Sequence, residues 1–269
     1  MSKLKIGINL DITNKEYHSD TQYLSSSNLK LILKSPEQFY KEKILGQKVI
    51  EEKPAFDEGS YAHGLILEPE KVAEEFAIYD GWKKQGKVFE EFKQNNQSKI
   101  ILSKAQDFKV KKWVESYKKR EVAVSLLSNG YAEHTICSSI LEVPIKVRAD
   151  YINIDKGYIV DIKTTGYESG SDIFKFIISE FGYDLSAALY CQVAHDVYNK
   201  LFDFYFIVIS KADYECHVYK ASADTLNKGH SLVNKAIIKY KKCLATNNWT
   251  NTIKSVNVFY EQNYEILEV

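Results

Sequence analysis

Between residues 131 and 165, apolar and polar positions alternate with period two. Ile136, Ile140, Val143, Ile145 and Val147 mark the apolar positions, and Asp155-Lys156-Gly157 interrupts the run with turn-forming residues. This spacing predicts strands joined by a tight turn. On the last of them Ile159, Asp161 and Lys163 share one face, while Val160 and Ile162 share the other. Helical spacing surrounds this β region. "YLSSSNLKLILKSPEQFYKEKILG" predicts a helix with its N-cap among Ser25, Ser26 and Ser27 and an apolar stripe of Leu29, Ile32 and Leu33. Ser35-Pro36 breaks it before a second short helix. Further helices are expected at about 58–67, ending near Pro69, at 103–127, and over 171–200 in two pieces divided at Gly182.

The continuous apolar run "LFDFYFIVISK" reads as a buried strand, with "YECHVYKA" as its antiparallel neighbour. A final helix over about 222–245 places Leu232, Val233, Ala236, Ile237, Tyr240 and Leu244 on one face, with Lys228, Lys235, Lys239, Lys241 and Lys242 on the other. This order of elements points to an α/β fold with a small mixed β-sheet flanked by helices. No repeat or Pro/Gly-rich linker divides the chain, so residues 1–269 are expected to form a single domain.

Composition narrows the functional classes. Of 269 residues, 45% are hydrophobic and 27% charged, values ordinary for a soluble globular protein. No apolar run approaches the roughly 18 residues of a membrane helix, and the N-terminal stretch lacks a signal-peptide pattern, so a cytoplasmic protein with no membrane partner is expected. Cys137, Cys191, Cys216 and Cys243 form no C-x-x-C pair, which argues for free thiols rather than zinc or iron–sulfur ligation. Net charge is zero. One stretch, 104–120, carries seven Lys/Arg against Asp107 and Glu115, and reads either as a solvated helix face or as a phosphate-contacting surface.

The candidate chemistry lies in "VRADYINIDKGYIVDIKTT". Turning at 155–157 brings Asp150 opposite the neighbourhood of Asp161, so two carboxylates meet across the ladder with Lys163 on the same face. Paired carboxylates bind a hard divalent cation, which can polarise a phosphodiester, and a nearby ammonium offsets charge in the transition state. Taken alone, an Asp-x-Lys spacing fits a surface salt bridge as readily.

The wider text is more specific. "RADYINIDKGYIVDIKTT" resembles motifs II and III of the PD-(D/E)xK nuclease superfamily. "YHSDTQYLSSSNLKLILKSPEQFYKEK", "FDEGSYAHGLILEPEKV", "DIFKFIISEFGYDLSAALY" and "LVNKAIIKYKKCLATNNW" each resemble segments of the exodeoxyribonuclease VIII (RecE-like) family, in the same order, over about residues 17–250. The resemblance implies a PD-(D/E)xK restriction-endonuclease-like core. It also implies catalytic roles for Asp150, Asp161 and Lys163, and a metal site of His63, Asp150, Asp161 and the carbonyl of Ile162. The expected metal is Mg²⁺, with Mn²⁺ as a substitute.

Ser25, Ser26, Ser27, Ser186 and Tyr190 are the expected DNA contacts. The activity implied is 5′→3′ digestion of linear double-stranded DNA from its ends, leaving 3′ tails for a single-strand annealing protein in phage-type recombination, often by a ring-shaped homo-oligomer. Two features depart from the family pattern. Ser186 stands where many relatives have Gln in Gln-x-x-x-Tyr, four residues before Tyr190, and "KADYECHVYK" lacks the usual proline-rich turn. A structure-specific endonuclease and an inactive DNA-end binding or inhibitor protein are the alternatives. Glu133 and Glu142 lie where the superfamily often has a further acid, and Glu68 falls in the matching helix segment where it could support the site. All three are nonetheless read as solvated surface, and His134, His195, His217 and His230 as structural.

Overall fold

Each segment marked by the hydrophobic pattern becomes an element of the chain, which the computed structural model describes over residues 2–10, 12–47, 54–168, 170–250 and 266–268. Strand β1 (Gly7–Asn9) precedes α1 (Asn14–Ser19), which Thr13 and Glu16 close with a reciprocal capping box. Ser25 is the N-cap of α2 (Ser26–Lys34), as expected from the serine run. Ser35 caps α3 (Pro36–Phe39), where Pro36 occupies the first turn and lacks no needed donor, and a wider π-helical winding follows over Tyr40–Ile44.

Next come α4 (Pro54–Leu67), α5 (Val72–Glu75), β2 (Phe76–Tyr79), α6 (Lys87–Asn95), β3 (Ile100–Ser103), α7 (Lys104–Lys119) and α8 (Glu121–Leu126). The β region is a meander of β4 (Tyr131–Ile140), β5 (Val143–Asn153) and β6 (Tyr158–Thr165). Helices α9 (Ser171–Glu180) and α10 (Tyr183–Tyr198) then lead to β7 (Asp203–Ser210), β8 (Cys216–Ala221), α11 (Ala223–Thr246) and β9 (Ile266–Glu268).

Among the described residues the main sheet runs β1-β4-β5-β6-β7-β8-β9. Neighbours are antiparallel except β6 and β7, which the α9–α10 crossover makes parallel. β2 and β3 form a separate parallel pair. Both faces of the sheet are covered. Leu29 and Ile32 of α2, Leu185 and Leu189 of α10, and Val233 and Ile237 of α11 pack on Ile159, Phe204 and Phe206. Tyr61 and Ala62 of α4 and Trp113 of α7 pack on Val160, Ile162, Ile207 and Ile209 from the other side. This two-sided burial is why β7 is apolar at consecutive positions instead of alternating.

Two expectations need correction. The segment 103–127 is two helices, because Arg120 adopts an extended conformation (φ −92°, ψ 95°) between them. On α11 Leu244 is half exposed, and Cys243 takes the buried position one residue earlier. All four cysteines are free and buried. Among the described residues no helix is long and apolar enough to cross a membrane.

The contact of α10 with α11 depends on Gly229. A Cβ there would lie 2.1 Å from the Asp184 carbonyl oxygen and 2.7 Å from Ala188 Cβ. Alanine in place of a helical glycine ordinarily gains about 1 kcal/mol, but overpacking against a rigid backbone costs about 1–3 kcal/mol. Gly229→Ala is therefore expected to lower stability in a urea titration, and a rise would show that the two helices can separate freely.

Candidate active site

The site begins where the sheet opens. β5 and β6 pair only from Tyr151–Val160 to Asn153–Tyr158, although both strands continue past that point. Beyond the split, backbone groups lose their ladder partners and must find others. Asp150 supplies one, its Oδ2 accepting the Ile162 N–H at 2.7 Å. The freed edge of β5 takes Leu24, whose N–H donates to the Pro144 carbonyl and whose carbonyl accepts from Lys146 N–H, both at 2.9 Å. This bridge places the start of α2 beside the split. A cleft of about 600 Å³ results, lined among others by His63, Glu133, Arg148, Asp150, Ile162, Lys163 and Tyr190.

His63 Nδ1 on α4 lies 3.5 Å from Asp150 Oδ2, and the Ile162 main chain is within hydrogen-bonding reach of its ring. Glu133 joins them. Among the described residues, ligand atoms of His63, Glu133 and Asp150 all lie within 4.8 Å of one another. The reading of Glu133 as solvated surface is therefore wrong, for a backbone reason. Glu133 has φ 49° within β4, and the ladder to β5 is interrupted between Ala132–Tyr151 and His134–Ala149. A left-handed non-glycine residue inside a strand costs about 1–3 kcal/mol and is favoured only where its surroundings hold it. Here Arg148 does so, Nε donating to Glu133 Oε2 at 2.6 Å while Nη1 donates to the Ile12 carbonyl at 3.0 Å.

Burial dominates the electrostatics. With the neighbouring Asp161 carboxylate, it pushes Asp150 up to about 7, and with Asp150 it raises Glu133 against the pull of Arg148. Burial and the Lys163 charge lower His63, leaving a neutral imidazole at neutral pH. Lys163 is the exception. Burial pulls it down, but Asp161 and Asp150 outweigh this and its pKa is raised. Its Nζ lies 2.5 Å from Asp161 Oδ2, a buried oxygen that this ammonium engages.

A neutral imidazole and the Asp150 and Glu133 carboxylates, whose charged forms burial disfavours, are donors that a hard divalent cation would satisfy. The residues fit such an ion.

The other expected site residues divide. Tyr190 lines the cleft, and Ser26 hydrogen-bonds to its hydroxyl. Ser25 and Ser27 bond to each other at 2.9 Å and face a neighbouring cavity of about 210 Å³. Ser186 is buried in α10, its Oγ directed back to the Gly182 carbonyl at 3.5 Å, and it does not line the cleft. In the basic stretch Lys104, Lys109, Lys111 and Lys112 pair with Asp80, Glu58, Asp107 and Glu115, so much of its charge is already used. Glu68 lines the cleft and pairs with Lys71. Glu142 is exposed beside Lys241, and His134 is bonded to the Tyr198 hydroxyl at 2.6 Å, a structural role as expected.

The raised Asp150 has a stability consequence. Between 3.8 and about 7 the folded chain retains a proton that the unfolded chain releases, so this group's contribution falls as pH rises through that window. Without divalent cations, Asp150→Asn is expected to be more stable than wild type by about 2–4 kcal/mol above pH 7, with the difference shrinking toward the acid end. Urea titrations at both ends of the window test this; a difference independent of pH would contradict it.

Comparisons with known proteins agree with this architecture. No curated protein matches the chain. The crystal structure of a candidate exonuclease from Eubacterium rectale superposes with a TM-score of 0.69, covering 96% of this chain and 97% of that one, at 15% identity. At that identity the likeness concerns the fold. The structure of SSO0001, 16% identical over 79% of this chain and 84% of that one, has a TM-score of 0.29 and carries no argument. Residues 25–261 match the family described as a PDDEXK-like domain of unknown function (DUF3799), and with the match spanning most of its length the chain belongs to that family.

Proposed function

We propose that the chain is a divalent-cation-dependent exodeoxyribonuclease that acts as one domain on the ends of linear double-stranded DNA. The observation that carries the proposal is the convergence of His63, Glu133 and Asp150 within 4.8 Å, beside the Asp161–Lys163 pair and inside an open cleft. Mg²⁺ is the proposed ion, since carboxylates and phosphate oxygens suit it, with His63, Glu133, Asp150, Asp161 and the Ile162 carbonyl as the donors that would hold it. Bound there, it would supply Lewis-acid polarisation of the phosphodiester and a lowered pKa for attacking water.

The chain's own residues do the rest. Lys163 keeps its proton and brings positive charge to where negative charge develops on the scissile phosphate. Arg148 fixes the Glu133 carboxylate, preventing a strained residue from turning away. Tyr190 forms a wall of the cleft, held by Ser26. The 5′→3′ polarity, the 3′ tail, the annealing partner, a ring assembly and a cytoplasmic setting rest on sequence resemblance and complete the proposal.

The test is Mg²⁺-dependent nucleotide release from linear duplex and from covalently closed circles. Wild type is expected to degrade only the linear form, and Asp161→Ala, Lys163→Ala and Glu133→Gln to lose about 10²-fold or more in rate. Cleavage of circles would turn the reading to an endonuclease, and equal behaviour of all four proteins would remove the proposed site.

A further inference from the structure

Lys30 of α2 was not among the expected site residues and does not line the cleft, yet it approaches the ring that Lys163 of the site also contacts. Its stem passes over Gly182, where an added Cβ would come within 3.3 Å of Lys30 Cε. Its Nζ lies 5.4 Å from the centroid of the Tyr183 ring, and Lys163 Nζ lies 5.0 Å from the same centroid. Phe181, half exposed, stacks on Tyr183 with centroids 5.8 Å apart and an interplanar angle of 25°. Two ammonium groups thus share one aromatic ring.

The charges around Lys30 do not balance. The groups acting on it are Lys163, Asp161 and Asp184. Asp161 is already engaged by Lys163 at 2.5 Å, and Asp184 Oδ1 accepts the Leu185 N–H at 2.7 Å. Among the described residues no carboxylate lies within ion-pair distance of Lys30. A partly buried ammonium under the charge of a second ammonium is unfavourable unless an anion completes the set. Burial, and then the Lys163 charge, pull its pKa down to about 8, in keeping with a cation short of a partner. A ring face attracts such a cation but supplies only part of an ion pair's energy.

We propose that Lys30, above Tyr183 and alongside Lys163, forms a phosphate subsite for the bound DNA strand. The inference deepens the nuclease reading and rests on it. A terminal 5′-phosphate monoester and an internal phosphodiester offer the same oxygen chemistry, and the test separates them.

The experiment measures equilibrium binding of a short linear duplex, with 5′-phosphate or 5′-hydroxyl ends, as a function of salt. Ca²⁺ replaces Mg²⁺ to keep the DNA intact. Lys30→Met retains the apolar stem over Gly182 and deletes the charge, and Lys30→Arg retains the charge. Lys30→Met is expected to bind more weakly, with the log–log salt slope reduced by about one, while Lys30→Arg keeps the wild-type slope. Loss confined to 5′-phosphorylated ends identifies the terminal monoester, and loss on both identifies an internal diester. Should Lys30→Met fail to fold, Lys30→Gln supplies the same comparison. Wild-type affinity and slope in a folded charge-deleted variant would overturn the subsite while leaving the nuclease reading standing. Absence of DNA binding by wild type would overturn both.

Discussion

The site depends on a break in the sheet. β5 and β6 separate after three paired positions, and a separated strand pair in a buried region exposes donors and acceptors whose loss would cost about 1–3 kcal/mol each. Two replacements hold the break open: Asp150 takes the Ile162 N–H, and Leu24 zips onto the freed edge of β5. Asp150 is therefore a structural hydrogen-bond acceptor and a cleft-lining carboxylate at once. Without the break, Asp150 and Asp161 would face each other across a closed ladder with no room for a substrate. Without Asp150, the break would leave a buried amide orphaned.

Placing charge in that break sets the electrostatics. Carboxylates drawn into a cleft between two apolar layers are pushed toward their neutral forms, and the imidazole likewise. Only Lys163 moves toward its charged form, because it has two acids to answer. The protein's own groups consequently leave electrostatic strain here, because burial disfavours the charged forms of Asp150, Glu133 and His63. A divalent cation and a phosphate are the two charges that would relieve it from opposite sides. Arg148 serves a different end, since its bonds to Glu133 and Ile12 tie a left-handed strand residue to the N-terminal segment.

Much of this was legible in the sequence, and the reason is period. Asp161 and Lys163 share a face because strands repeat every two residues, and the turn at 155–157 fixes Asp150 opposite them. The helix start at Ser25 followed from capping chemistry, and the start of α3 from the break at Ser35-Pro36. The rest required three dimensions. Glu133 was not assigned to the site because nothing local marks a left-handed residue in a strand, and regular alternation does not reveal that its carboxylate meets Asp150. Its register could have hinted at the pairing, since 132 faces 151 and 134 faces 149. Ser186 was placed by motif position, but its short side chain reaches only its own helix. The basic stretch looked available because sequence spacing does not show that Glu58 and Asp80, far away along the chain, neutralise part of it.

Gly182 connects these observations. Its φ of 60° is left-handed, which a residue with a Cβ adopts only under strain, and it breaks the crossover into α9 and α10. The break aims Tyr183 beneath Lys163, and the missing side chain leaves a surface on which the Lys30 stem can lie. A larger residue would strain the turn and crowd that stem in the same step. One backbone requirement therefore fixes the ring under both amines and the path of the second amine, so the geometry of the proposed phosphate subsite follows from the way the crossover helix begins.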